Sequence, residues 1–132
     1  IYVVNSLKQV GTAQIVVDSG PVVIKVAGQS DSNPIDIAGN GVANPSFIPQ
    51  NLQFIYGGTG LAKLNGGSQT SATFYMPNAD TTINGGGSLY GALVARTLRD
   101  TGGADIHYDR RLRNGGLTAG NYMLSAFTWK NY

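Results

Sequence analysis

The chain reads as an all-β protein, a right-handed parallel β-helix of roughly five to six coils stacked about 4.8 Å apart. Three observations predict this. Short apolar runs rich in β-branched and aromatic residues are each bounded by Gly, Asn, Pro or Ser. A hydrophobic-X-Gly-small unit recurs along the chain. Glycine supplies 19 of the 132 residues, about twice its usual share, which provides many turns. A β-sandwich stays open as the alternative, because short strands separated by turn signals fit that class too.

The apolar runs come in order at Tyr2–Val4, 14–17, Val22–Val26, Leu52–Tyr56, 73–76, 88–90 and 122–127. The best helix candidate is 91–98, with Leu93, Val94 and Leu98 apolar, but it is short and follows Gly85-Gly86-Gly87. The repeat unit appears as Ile37-Ala38-Gly39-Asn40, Leu64-Asn65-Gly66-Gly67 and Ile83-Asn84-Gly85-Gly86, with a degenerate fourth copy at Leu98 and Gly102-Gly103. The glycines at 39, 66, 85 and 102 are 27, 19 and 17 residues apart.

Other positions keep these steps. Nineteen residues carry Phe74-Tyr75-Met76 onto Leu93-Val94-Ala95, and seventeen carry Leu89-Tyr90 onto Ile106-His107 and Gly86 onto Gly103. Repeats of this length suit the three short strands and three turns of one coil, whose apolar side chains are buried only when coils stack. The longer step implies an inserted loop, for which Asn44-Pro45-Ser46-Phe47-Ile48-Pro49 is the candidate. Corners between strands require φ > 0, which Gly and Asn supply cheaply. Asn40, Asn65 and Asn84 lie beside those corners and are expected to stack as a hydrogen-bonded ladder.

The chain is expected to be one domain, 1–132, with 20–112 as the repeat region. Residues 1–19 and 113–132 are the expected irregular caps, Trp129 lying across the last coil.

Composition excludes several function classes. There is no cysteine, so neither disulfides nor thiolate metal sites exist. Charged residues are only 12% of the chain, and all seven acids are Asp, a residue of caps and turns. A net charge of +2 gives no case for nucleic acid. Five of the nine basic residues (Arg96, Arg99, Arg110, Arg111 and Arg113) cluster, but Asp100, Asp105 and Asp109 interleave with them, as on a solvated face. No apolar stretch approaches a membrane span of about 18 residues, so no membrane contact is expected from these residues. The chain begins at Ile1, which implies a processed form or a trimmed piece, with any signal or anchor lying upstream.

The blocks Gly20-Pro21-Val22-Val23-Ile24-Lys25-Val26-Ala27-Gly28, Ile37-Ala38-Gly39-Asn40-Gly41 and Asn51-Leu52-Gln53-Phe54-Ile55-Tyr56-Gly57 come first. They are followed by Phe74-Tyr75-Met76-Pro77-Asn78-Ala79, Ser88-Leu89-Tyr90-Gly91-Ala92-Leu93-Val94-Ala95 and Ile106-His107-Tyr108-Asp109-Arg110-Arg111-Leu112. In that order they resemble the uncharacterised β-helical C-terminal domain family of bacterial PilX-like, pilus-assembly-type proteins. The resemblance covers 20–112. Met76 stands where that pattern has Ala, Gly85-Gly86-Gly87 replaces Gly-Asn-Gly, and Arg99-Asp100-Thr101 interrupts the repeat. The resemblance implies an extracellular or cell-surface, pilus-associated location in a bacterium, with pilus or pilin-like subunits or surface glycans as partners. It implies no catalytic residues and no cofactor.

The weak candidate cluster is Asp105, His107, Asp109 and Arg111. His107 is the single histidine, and residues two apart on a strand share a face, so His107 and Asp109 form a candidate ligand pair. A metal site takes three or four ligands, and neither a second His nor a Glu exists. The preferred reading is that His107 and Tyr108 close the last regular coil. A polysaccharide-processing β-helix would use Asp100, Asp105 and Arg111 across a groove. A surface salt-bridge set is preferred, since so short a rod has few long loops. Asp80, and Asp31, Asn33 and Asp36 around Pro34, are oxygen-rich enough for calcium, but plain Asx-turns suffice. Gly85-Gly86-Gly87 lacks the Lys-Ser/Thr and helix of a phosphate loop. Tyr56, Tyr75, Tyr90 and Tyr108 are either a sugar-stacking face or, preferably, a ladder of core or face aromatics.

The expected function is therefore a non-enzymatic structural or adhesive module of a pilus-associated or pilin-like surface protein, with no catalytic, cofactor or metal residues. A polysaccharide-binding or polysaccharide-processing β-helix and a self-assembling β-helical scaffold are the alternatives.

Overall fold

Parallel strand pairing dominates the computed structural model, which describes residues 1–38, 41–65 and 69–114 and the backbone of two short strands at 118–119 and 122–123. The strands are β1 (Tyr2–Val4), β2 (Leu7–Gln9), β3 (Ile15–Val16), β4 (Val22–Val26), β5 (Ile35–Ile37), β6 (Val42–Ala43), β7 (Leu52–Tyr56), β8 (Ala62–Asn65), β9 (Thr70–Asn84), β10 (Ser88–Asp100), β11 (Asp105–Tyr108), β12 (Thr118–Ala119) and β13 (Tyr122–Met123). Two 3-10 turns, Pro49–Asn51 and Arg110–Arg113, are the helical pieces among the described residues, so the protein is all-β. No helix among them is long and apolar enough to cross a membrane.

The main sheet runs β1-β4-β7-β9-β8-β5-β2, with β10 and β11 added beyond β9. Every pairing in it is parallel. The path folds back on itself because β9 is long enough to serve two rows. Its first half pairs with β7 (Gln53↔Thr73) and its second half with β8 (Ala62↔Thr81). The sheet is thus nearly closed around its apolar interior, and β3 and β6 pair in a separate two-stranded sheet. β10 follows β9 around the same corner, with a register shift between Ala95 and Thr97.

Register aligns side chains in columns. Ile24, Phe54, Phe74 and Leu93 form one inward column, in which the Phe54 and Phe74 rings stack at 4.7 Å with 5° between planes. Ile37, Leu64 and Ile83 form another, as the 27- and 19-residue steps predict. Phe54, Leu52, Ile35, Val42 and Met76 are fully buried. Gln9 ends the Ile37 column at the first layer, where its Nε2 donates to the carbonyls of Ala13 (2.8 Å) and Gly41 (2.9 Å).

A polar ladder runs beside the Ile37 column. Asn65 Nδ2 donates to Asp36 Oδ1 (3.1 Å), Asn84 Nδ2 donates to Asn65 Oδ1 (2.6 Å), and Thr101 Oγ1 donates to Asn84 Oδ1. Asn40, the other expected member, lies outside the described residues. Thr101 takes the next rung because Asp100, not Leu98, stands opposite Ile83. The fourth repeat copy is therefore Asp100-Thr101-Gly102. Gly102 lies so close to its predecessor that a Cβ there would sit 2.0 Å from the Gly85 nitrogen.

Two expectations change, the irregular first cap and the tyrosine ladder. Residues 1–19 are not an irregular cap: β1, β2 and β3 each pair with the strand one layer on, β4, β5 and β6, because the short apolar runs keep register. Residues 91–98, a weak helix candidate, belong to β10, as the 19-residue alignment expects, with Leu93, Val94 and Leu98 against Phe74, Tyr75 and Thr81. The tyrosines do not stack on one another. Tyr56 pairs with Val26, Tyr75 with Ile55 and Val94, and Tyr108 with Gly91, because the uneven corner lengths put the four tyrosines in different columns. Residues 44–49 form the expected loop between β6 and the first 3-10 turn. Trp129 and most of the expected 113–132 cap lie outside the described residues.

Candidate functional site

β11 carries Asp105 and His107, and the turn after it carries Asp109 and Arg111, on an exposed surface. Leu89↔Ile106 and Tyr90↔His107 fix β11 against β10, the alignment that the 17-residue step predicts. The His107 ring stacks on Tyr90 at 4.7 Å with 12° between planes.

Asp109 caps the 3-10 turn and accepts from the Arg111 backbone N–H at 2.9 Å and from its guanidinium Nη2 at 2.6 Å. The Arg111 side-chain hydrogen bond, followed by the backbone one, holds the Asp109 carboxyl below the usual carboxylate range. The same contact raises Arg111. This pair is closed on itself and keeps Asp109 ionised, the wrong state for a general acid. Asp105 starts the strand, its N–H bonded to the Gly87 carbonyl at 3.2 Å. Asp100 accepts from the N–H groups of Gly102 (3.0 Å) and Ala104 (3.4 Å), which depress its pKa as a turn cap does.

Three other acids, Asp31, Asp36 and Asp80, are engaged as well. Asp31 bonds the Asn33 N–H at 2.9 Å in the expected Asx-turn, and pairs with Lys8 at 2.9 Å. Asp36 belongs to the ladder. Asp80 makes no Asx-turn; it pairs across the layer with Arg96 and Thr97 of β10, because the register shift at this corner brings them opposite. Among the described residues no three His, Cys, Asp or Glu side chains converge to hold a metal.

Arg111 has a second bond that leads to a different feature. Its Nη2 donates to the Phe47 carbonyl at 2.5 Å, tying the 44–49 loop to the turn after β11. That loop is cross-braced. Asn44, buried, donates through Nδ2 to the carbonyls of Ile48 (2.8 Å) and Ser71 (3.0 Å). Ser46 Oγ donates to Asn44 Oδ1 (2.6 Å) and accepts from Asn51 Nδ2 (3.0 Å). At its tip Phe47 has φ 49° and a side chain 59% exposed. Between the loop and β10 opens a slot of about 150 Å³, lined by Ala43, Asn44, Phe47, Gln69, Ser71 and Tyr90.

Residues 1–115 match the family described as a domain of unknown function, DUF7305. The chain belongs to that family. No curated protein and no solved structure matches it. The DUF7305 match spans every strand of the main sheet, the 44–49 loop and the 105–111 cluster.

Residue type marked only Tyr90 of the slot, as a member of the candidate sugar-stacking face; the rest of its lining is apolar or amide apart from Ser71. A larger cleft, about 760 Å³, opens at the corner between β4, β7 and β9, lined by Asp31, Tyr56, Thr59 and Asp80 among others. Tyr56 is buried there, and its Oη accepts from the Gly60 N–H at 2.9 Å. A Cβ on Gly28, Gly58 or Gly60 would come within 2.9 Å of this ring, so the DUF7305 corner depends on those glycines for close packing.

Proposed function

We propose that the domain is a non-catalytic structural or adhesive module of a bacterial cell-surface, pilus-associated protein, built as a right-handed parallel β-helix. The observation that carries this reading is the register-locked stack, in which inward columns and the Asn65–Asn84–Thr101 ladder pass along the stack at matching positions, Asp36 joining Asn65 from one residue before Ile37. Parallel crossovers within one sheet are right-handed in about 98% of cases, which supports the hand. Each layer is held by backbone pairing and by stacked side chains, a stiff arrangement that leaves its corner loops free to vary. Three of the acids are paired with cations, Asp109 with Arg111, Asp80 with Arg96 and Asp31 with Lys8, as in a solvated structural surface. Resemblance of 20–112 to domains of PilX-like proteins supports the setting.

The test is location. Antibody against the domain should label intact bacteria and co-purify with filaments sheared from their surface. Labelling only after lysis would overturn the surface assignment. Surface labelling without filament association would remove the pilus link alone.

A further inference from the structure

Four observations converge on the slot between the 44–49 loop and β10. First, Phe47 has φ 49°, a strained conformation for a non-glycine residue. It nonetheless carries a large apolar ring, the residue 59% exposed. Most of its surface stays in water, yet five side-chain hydrogen bonds among Asn44, Ser46, Asn51 and Arg111 fix the loop that presents it.

Second, Tyr90 is covered by a ring on one side only. His107 stacks on it from the following layer, whereas its partner in the preceding layer is Ser71, too small to cover an aromatic face. Third, Ser71 is 4% exposed and lines the slot, and its Oγ, shut off from solvent in its present rotamer, has no hydrogen-bond partner, so a turn about χ1 would bring it to a ligand in the slot. A buried unpaired hydroxyl is a cost to the fold unless something meets it. Fourth, the slot holds about 150 Å³, and a cavity of about that size accepts a single six-membered ring.

Flat aromatic faces beside a lone buried hydroxyl suit a ligand that is apolar on its flat faces and polar at its rim. An aliphatic side chain would leave Ser71 unpaired. A charged group would find no free counter-charge, since Arg111 is already closed on Asp109. A sugar ring meets both demands, with C–H groups on its faces and hydroxyls around its edge.

We propose that this slot is a saccharide-binding site for one uncharged pyranose unit, its C–H face against Tyr90 and Phe47 and one of its hydroxyls bonded to Ser71 Oγ. This deepens the adhesive reading above and rests on it for the biological setting, not for the chemistry.

Saturation-transfer NMR on the folded domain tests it, with millimolar methyl glucoside, methyl galactoside, methyl mannoside and N-acetylglucosamine as probes. At least one sugar should receive saturation, most strongly at its ring C–H protons. Phe47→Gly should weaken that sugar's binding at least ten-fold while keeping or raising Tm, because glycine takes this φ without a Cβ. Ser71→Ala should weaken binding several-fold, again without loss of Tm, since it removes an unpaired buried hydroxyl. No transfer to any of the four sugars, or transfer undiminished in both variants, overturns the proposal. Binding of a poly-L-proline peptide instead of the sugars overturns it too, and reassigns the slot to peptide. Sugar binding by a domain absent from the cell surface would leave the slot standing and remove the adhesive reading. Surface display without sugar binding would do the reverse.

Discussion

Replacing the two central rungs of the ladder, singly and together, measures how strongly one layer is locked to the next. Asn65→Ala removes a bond to the Asp36 carboxylate and the bond accepted from Asn84. A bond to a charged group contributes about 1.5–3 kcal/mol and a neutral one about 1 kcal/mol, less where water reaches the site. Both asparagines are half-buried, so the expected loss is about 2–3 kcal/mol for Asn65→Ala. Asn84→Ala removes two neutral bonds, to Asn65 and from Thr101, and should cost about 2 kcal/mol. The double variant loses the shared Asn84–Asn65 bond only once, so its loss should fall short of the sum by about 1 kcal/mol. Urea unfolding of the four proteins, with unchanged m-values, gives the coupling directly. A coupling within about 0.3–0.5 kcal/mol of zero, the scatter for independent sites, would refute the ladder as a connection between layers.

Gly91→Ala should be the most damaging single methyl. Its φ is 151°, and the new Cβ would sit 1.9 Å from the Ala72 carbonyl oxygen of the paired strand, so soluble expression should fail or Tm collapse. A variant that melts like the parent would show that β9 and β10 are not held in this register. Phe54→Ala empties a fully buried site and unstacks Phe74, with an expected loss of about 3–5 kcal/mol by urea unfolding. The pH dependence has a definite sign. Asp31, Asp80, Asp100 and Asp109 all have folded pKa values below the ordinary 3.8, through hydrogen bonds first and, for all but Asp100, charge partners too. Their contribution is present above the unfolded value and is lost as pH falls through the folded ones, because the unfolded chain takes up protons first. Thermal melts should therefore weaken steadily below about pH 4, and a Tm that rises on acidification would contradict these partners.

Much of the register was legible because stacked layers repeat the same side-chain demands at each position. The 19-residue step placed Leu93-Val94-Ala95 on Phe74-Tyr75-Met76, and the 17-residue step placed Ile106-His107 on Leu89-Tyr90. β2, β5 and β6 escaped the reading because two or three residues, such as Leu-Lys-Gln or Ile-Asp-Ile, carry too little alternation to stand out. β8, Ala-Lys-Leu-Asn, has the same weakness. The tyrosine ladder failed for a related reason. Corners differ in length, from the single Arg96 in β10 to 77–79 in β9, so equal spacing in sequence does not mean one column in space.

The same point bears on which side chains come together. Choosing residues by titratable type gathered Asp105, His107, Asp109 and Arg111, of which Asp109 and Arg111 satisfy each other. In a stacked fold a side chain's neighbours lie one step away along the chain, so a column is the unit in which a binding surface forms. The 19- and 17-residue steps that align β9, β10 and β11 also carry Ser71 to Tyr90 and Tyr90 to His107. That column holds a small residue, then an aromatic, then a second ring, which uncovers one face of Tyr90 and covers the other. This column is legible in the repeat, whereas the presence of Phe47 at the same slot is not, because that depends on a loop braced by Asn44 and by Arg111, 64 residues away.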